Sequence, residues 1–97
     1  MDNVEIIKTK DVLVRTMELD VNSSTDWHYH TEVGDLFVCL NGIVQVETKN
    51  PDIVVILNPG QRVEVKPTQI HRVLNIDKGK SEYLLVQGVG AYDFIKA

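Results

Sequence analysis

Along most of the chain, β-branched, aromatic and other apolar residues alternate with polar ones in short runs. A period of two turns one face of an extended strand towards a core and the other towards solvent. Nine runs follow it: "VEIIKT" (4–9), "VLVRTMEL" (12–19), "WHYH" (27–30), "DLFVCL" (35–40), "IVQVET" (43–48), "DIVVIL" (52–57), "RVEVK" (62–66), "HRVLNI" (71–76) and "SEYLLVQG" (81–88). Between them lie "DVNSSTD", "NG", "KNPD", "NPGQ", "PTQ" and "DKGK", where Gly, Pro, Asn and Asp supply turn chemistry. No segment carries a convincing helical stripe, a turn near the C-terminus apart. Short strands spaced this evenly predict an all-β antiparallel sandwich or barrel.

Asn41-Gly42 is the preferred pair for a two-residue hairpin of type I′, in which both central residues need positive φ. If it closes a hairpin, Leu40 opposes Ile43, Cys39 faces Val44, Phe37 faces Val46 and Asp35 faces Thr48. The set containing Asp35 and Phe37 reads as the interior, and a carboxylate placed there needs a partner. Leu36, Val38 and Leu40 then form an apolar outer face, which predicts a second layer or a subunit contact, and hence a homodimer.

Composition narrows the function classes. Ninety-seven residues allow one domain, 1–97, and the apolar and charged fractions, 43% and 25%, match soluble globular chains. A net charge of −4 without a basic cluster argues against nucleic acid or anionic membrane as partner. The start, "MDNVEIIKTK", has neither the basic nor the apolar region of a secretory signal, and no apolar run is long enough to cross a bilayer. The single cysteine, Cys39, can form no internal disulfide, so a reducing, cytoplasmic location is expected.

The candidate chemistry lies in "WHYHTEVGDLFVCLNG" (27–42) and around His71. His28 and His30, two apart on a strand, leave the same face and can reach one metal ion. Asp35 points inward on the next run, and His71 shares its face with Val73 and Asn75. Imidazole and carboxylate suit Mn, Fe, Co, Ni, Cu or Zn, and four protein ligands leave room for a substrate or O2 on a five- or six-coordinate ion. Taken singly, each residue has a plainer reading: a chance His pair, an ordinary histidine, a turn acid. All three histidines of the chain, however, fall within one pattern with Asp35. Gly42 and Gly60 read as turn residues, Asn75 as a structural hydrogen-bonder and Cys39 as core. Phe37 and Val46 are expected to line the pocket, with Trp27 and Tyr29 facing away.

The pattern resembles the cupins. Their first motif reads H-x-H, three or four residues, an acid, six residues and Gly, matched here by His28, His30, Asp35 and Gly42. Their second runs from a Gly through a Pro to His, three residues and Asn, matched by Gly60, Pro67, His71 and Asn75. Asp35 stands where the family usually has Glu, one methylene longer. Asn22 replaces a glycine expected before the first histidine, and the glycine expected near Gln69 is missing. The resemblance implies a double-stranded β-helix (jelly-roll) barrel holding one divalent transition metal through His28, His30, Asp35 and His71. Cupins include dioxygenases, isomerases, lyases, decarboxylases and sugar-binding modules. The expectation for this chain is a metal-dependent enzyme acting on a small organic molecule, of dioxygenase, isomerase or lyase type. A non-catalytic module binding a small ligand or sugar and a metal-free structural barrel are the alternatives. Glu47 falls on the outward face and no separate acid or base stands out inside, which favours metal-centred redox work.

Overall fold

A computed structural model describes residues 3–97; Met1 and Asp2, which begin the expected 1–97 span, lie outside them. The chain forms β1 (Asn3–Lys8), β2 (Val12–Leu19), β3 (His28–Tyr29), β4 (Gly34–Asn41), β5 (Val44–Thr48), β6 (Ile53–Leu57), β7 (Arg62–Val65), β8 (His71–Asn75), β9 (Ser81–Gly88) and β10 (Ile95–Lys96). All nine predicted runs are strands. The tenth, β10, falls where the sequence offered at most a turn. It pairs Ile95 with Tyr29 and Lys96 with His28.

Two antiparallel five-stranded sheets, ordered β1-β2-β9-β4-β7 and β10-β3-β8-β5-β6, face each other. From β2 to β5 and from β6 to β10 each successive strand crosses to the opposite sheet; only β1–β2 and β5–β6 are sequential neighbours within one sheet. This is the double-stranded β-helix. Inward residues of both sheets meet in a core of Met17, Leu19, Phe37, Cys39, Val44, Val46, Leu57, Val65, Val73, Tyr83 and Leu85. Each large side chain there stabilises the fold by roughly 1.5–3 kcal/mol relative to exposure.

The expected hairpin at Asn41-Gly42 is not formed. β4 pairs with β7 and β9, while β5 pairs with β6 and β8 in the other sheet. Asp35 therefore lies opposite Val65 and Gln87, and Thr48 opposite His71. The β4–β9 register shifts between Cys39 and Asn41, Asn41 does not take positive φ, and Gly42, at φ 76°, carries the chain to the second sheet. A Cβ on Gly42 would collide with the Ser81 hydroxyl. The inward set of the hairpin reading survives, because Asp35, Phe37, Cys39, Val44 and Val46 are all buried. Alternation along each strand fixes its inner face without fixing the sheet it joins.

The outer face of the first sheet is apolar across its central strands. Val14, Val86 and Leu36 lie in one row and Thr16, Leu84 and Val38 in the next, all partly exposed. β1 extends the face with Val4 and Ile7, 63% and 52% exposed.

Candidate metal centre

Four of the seven buried polar side chains on β3, β4, β8 and β9 or beside them converge between the sheets at the end opposite Asn75 and Ser81. β3 and β8 pair at one position, and that position sets His28 opposite His71. His30 follows two residues on, just past β3, so its ring leaves the same face as His28. Asp35 comes from β4 in the facing sheet. One ligand atom from each of His28, His30, Asp35 and His71 lies within 4.8 Å of the others, and all four residues are buried. The structure thus brings together every residue the sequence singled out, as a group that can hold a metal ion.

Each imidazole is oriented through its far nitrogen. Nδ1 of His28 meets the carbonyl oxygen of Asp26 at 2.6 Å, Nδ1 of His30 that of Asp93 at 2.5 Å, and Nδ1 of His71 that of Gln69 at 2.8 Å. A carbonyl only accepts, so each Nδ1 carries the proton, and a neutral ring then presents its Nε2 lone pair to the centre. Nε2 of His30 and of His71 lie 3.1 and 2.8 Å from Asp35 Oδ2. Lone pairs facing a carboxylate repel unless a proton or a metal cation lies between them. This donor set fits a divalent ion.

With no metal bound, a proton in the same gap turns these contacts into hydrogen bonds to the carboxylate. Burial pushes the Asp35 carboxyl up, but hydrogen bonds from His30 and His71 and their charge outweigh it and hold it at about 2. Burial pulls His30 down, yet the hydrogen bond and charge of Asp35 leave it above its ordinary value. For His28 burial prevails over its bond to Asp26 and, aided by the neighbouring histidines, lowers it to about 4.

A cavity of about 230 Å³ adjoins the group, with His28, His30 and Asp35 in its wall. Arg15, Met17, Phe37, Tyr83, Leu85 and Gln87 line it from the first sheet, and Tyr92 and Phe94 from the C-terminal segment. Phe37 is there as expected; Val46 belongs to the core instead. Gln87 Nε2 donates to Asp35 Oδ1 at 3.0 Å, across the β4–β9 register. Phe94 stacks on His28, ring centroids 4.2 Å apart. The Asp93 carboxylate accepts from Thr31 N at 2.8 Å and from its hydroxyl at 2.5 Å, which anchors the segment carrying the His30 acceptor.

Several cavity residues were missed in the sequence. Gln87 and Arg15 were open to detection, because each occupies a core-facing place in an alternating run, with Tyr83 and Leu85 or with Leu13 and Met17. Tyr92, Asp93 and Phe94 had no such signal, as their segment has no period. The readings of Cys39, Glu47, Asn75 and Trp27 agree with the structure. Cys39 is buried outside the group, Glu47 faces out and pairs with Arg72 at 2.7 Å, and Asn75 donates to the carbonyls of Leu19, Asp20 and Gly79. Trp27 faces away, beneath Lys49 and Arg72.

Solved structures share the fold. An uncharacterised conserved protein with a double-stranded β-helix domain from Klebsiella pneumoniae superposes with a TM-score of 0.86 at 22% identity, over 99% of this chain and 83% of its own. A cupin superfamily protein from Desulfitobacterium hafniense gives 0.78 at 16%, over 90% and 75%. A recombinant oxalate oxidase in complex with glycolate gives 0.85 at 11%, over 98% of this chain but 54% of its own. This chain thus spans about half of that enzyme, and at such identities the likeness is one of fold. No curated protein matches the chain. The cupin domain family matches residues 15–87, which include the whole buried group and most of both sheets, and the chain belongs to that family.

Proposed function

We propose that His28, His30, Asp35 and His71 hold one divalent transition metal and that the chain is a metal-dependent enzyme acting on a small organic molecule in the adjoining cavity. The observation that carries this reading is the orientation of the imidazoles: each has Nδ1 tied to a backbone carbonyl, Nε2 of His30 and of His71 lie beside Asp35, and His28 brings a ring nitrogen within 4.8 Å of the same group. A bound Mn, Fe, Co, Ni, Cu or Zn ion supplies Lewis acidity towards a carbonyl or carboxylate, and iron or manganese adds redox capacity. The chain's own groups bind and orient. Gln87 fixes the carboxylate of Asp35, and Phe94 holds the His28 ring. Burial raises the Tyr83 phenol above its ordinary value, with the Asp35 charge adding to the effect, so it stays protonated at neutral pH. Asp26, at the cavity rim, lies 3.4 Å from Lys96. With Asp35 engaged by the histidines and Gln87, proton transfer has little support, which favours metal-centred chemistry of dioxygenase, isomerase or lyase type.

Two further readings accompany this one. The apolar outer face of the first sheet fits a homodimer. The lone buried thiol of Cys39 suits a reducing, cytoplasmic setting. No helix of the described residues is long and apolar enough to cross a membrane.

Metal content by mass spectrometry tests the centre, on protein purified without a His-tag or chelator. Wild type is expected to carry about one transition-metal ion per chain and His30→Ala to lose it. Failure of the wild type to retain metal, even after reconstitution, would overturn the proposal.

A further inference from the structure

Arg15 is a charged residue on the core face of β2, in line with the buried Leu13, Met17 and Leu19. Such a group needs partners for its N–H donors. Nη2 has one: it donates to Gln87 Oε1 at 2.7 Å, and Gln87 in turn reaches Asp35. Nε has none. It is the one buried side-chain nitrogen or oxygen without a hydrogen-bond partner among the described residues. Glu5 lies opposite Arg15 in the β1–β2 register, yet no carboxylate of the described residues pairs with the guanidinium. Tyr92 flanks it, the guanidinium carbon 5.4 Å from the ring centroid.

A buried donor left unpaired is costly, and a ligand that completes it recovers that cost. The guanidinium fork matches the two oxygens of a carboxylate. Charge points the same way. Asp35 offsets one of the two positive charges of a divalent ion, and Arg15 adds another cation to the same cavity, so the field there favours an anion.

We infer that Arg15 is the recognition residue for the substrate's carboxylate, and that the substrate is a small organic acid. Nε–H and a second guanidinium N–H take the two carboxylate oxygens, with Gln87 holding the fork in place. A cavity of about 230 Å³ admits an acid of a few carbons, whose other end faces His28, His30 and Asp35. That last placement and the charge argument rest on the metal-centre reading; the unpaired Nε–H of Arg15 and the contact it offers do not.

The test is titration of the 15N-labelled full chain with acetate and, as the neutral control, acetamide, in zinc-loaded and chelator-treated samples. The Arg15 Nε–H resonance, assigned by its absence from Arg15→Lys, should shift saturably with acetate and ignore acetamide. Acetate affinity should fall about tenfold or more in Arg15→Gln, the effect of losing a charge-assisted hydrogen bond. A resonance indifferent to acetate in both samples, or an Arg15→Gln affinity within about twofold of wild type, would overturn the inference. If the chain takes up no zinc, the metal centre fails on its own and the chelator-treated sample still decides Arg15. If Arg15→Gln does not fold, the wild-type resonance decides.

Discussion

Burial acts on His28 and His30 alike, as on any imidazole, but their neighbours divide them. Asp35 keeps His30 above its ordinary value, whereas His28, nearer to His71 and Phe94, is held at about 4 against an unfolded value of 6.5. A lowered folded value means that unfolded His28 takes up a proton the folded protein refuses, so its contribution is full above pH 6.5 and is lost as pH falls towards about 4. His30 runs the other way: its contribution is present below 6.5 and lost as pH rises through its raised value. Asp35 matters lower, between its ordinary 3.8 and about 2. Urea unfolding of chelator-treated protein at pH 7 and pH 5 should therefore show a smaller acid-induced loss, or a larger gain, for His28→Gln than for wild type. An unchanged difference between the two pH values would remove burial of His28 as the cause. The four clustered residues were legible because histidine and inward carboxylate are rare and alternation alone sets their faces. Arg15 and Gln87 obey the same alternation, but arginine and glutamine are not metal-ligand types, so the pattern that marks the histidines and Asp35 passes over them.

At the scale of elements, the strands were legible and their partners were not. An Asn-Gly pair between two apolar runs fits a hairpin and a corner between sheets equally well, and what decides is a contact remote in sequence. Ser81, at the start of β9, stands against Gly42 and bonds to Asn75 Oδ1 at 2.8 Å, which leaves no space for a side chain at the corner. Gly60, in the β6–β7 turn, has φ 88° and open space around the place a Cβ would take. The two glycines thus separate backbone strain from collision. Gly60→Ala is expected to cost about 1 kcal/mol, the strain of a side chain at positive φ, and Gly42→Ala about 2 kcal/mol more, because Ser81 must also move. Equal costs in urea unfolding would mean that the corner adjusts freely. β10 escaped the sequence for a related reason. Two residues have no periodicity, and Ile95–Lys96 is a strand only because β3 offers it an edge.

For the whole molecule, the outer surface of the first sheet is apolar across three neighbouring strands, whereas on the second Gln45, Glu47 and Arg72 interrupt the exposed Val54 and Ile56. On β2, β9 and β4 the rows Val14–Val86–Leu36 and Thr16–Leu84–Val38 give a continuous apolar strip, widened by the exposed Val4 and Ile7 of β1. Arg62 and Glu64 on β7 and Glu18 and Glu82 at the end of the β2–β9 ladder border it with charge. An apolar centre with a charged rim is the make-up of a subunit contact, and an 11.0 kDa chain gains stability by covering it. Two copies related by a two-fold axis would lay these strips together, each supplying the same rows, without touching the cavity on the inner face. Sedimentation at micromolar concentration should therefore give about twice the chain mass for wild type and one chain mass for Leu84→Glu. Metal content should be the same in both, since Leu84 points away from His28, His30, Asp35 and His71. A wild type that sediments as one chain would leave the strip without this partner, and a Leu84→Glu monomer that loses its metal would tie the centre to assembly.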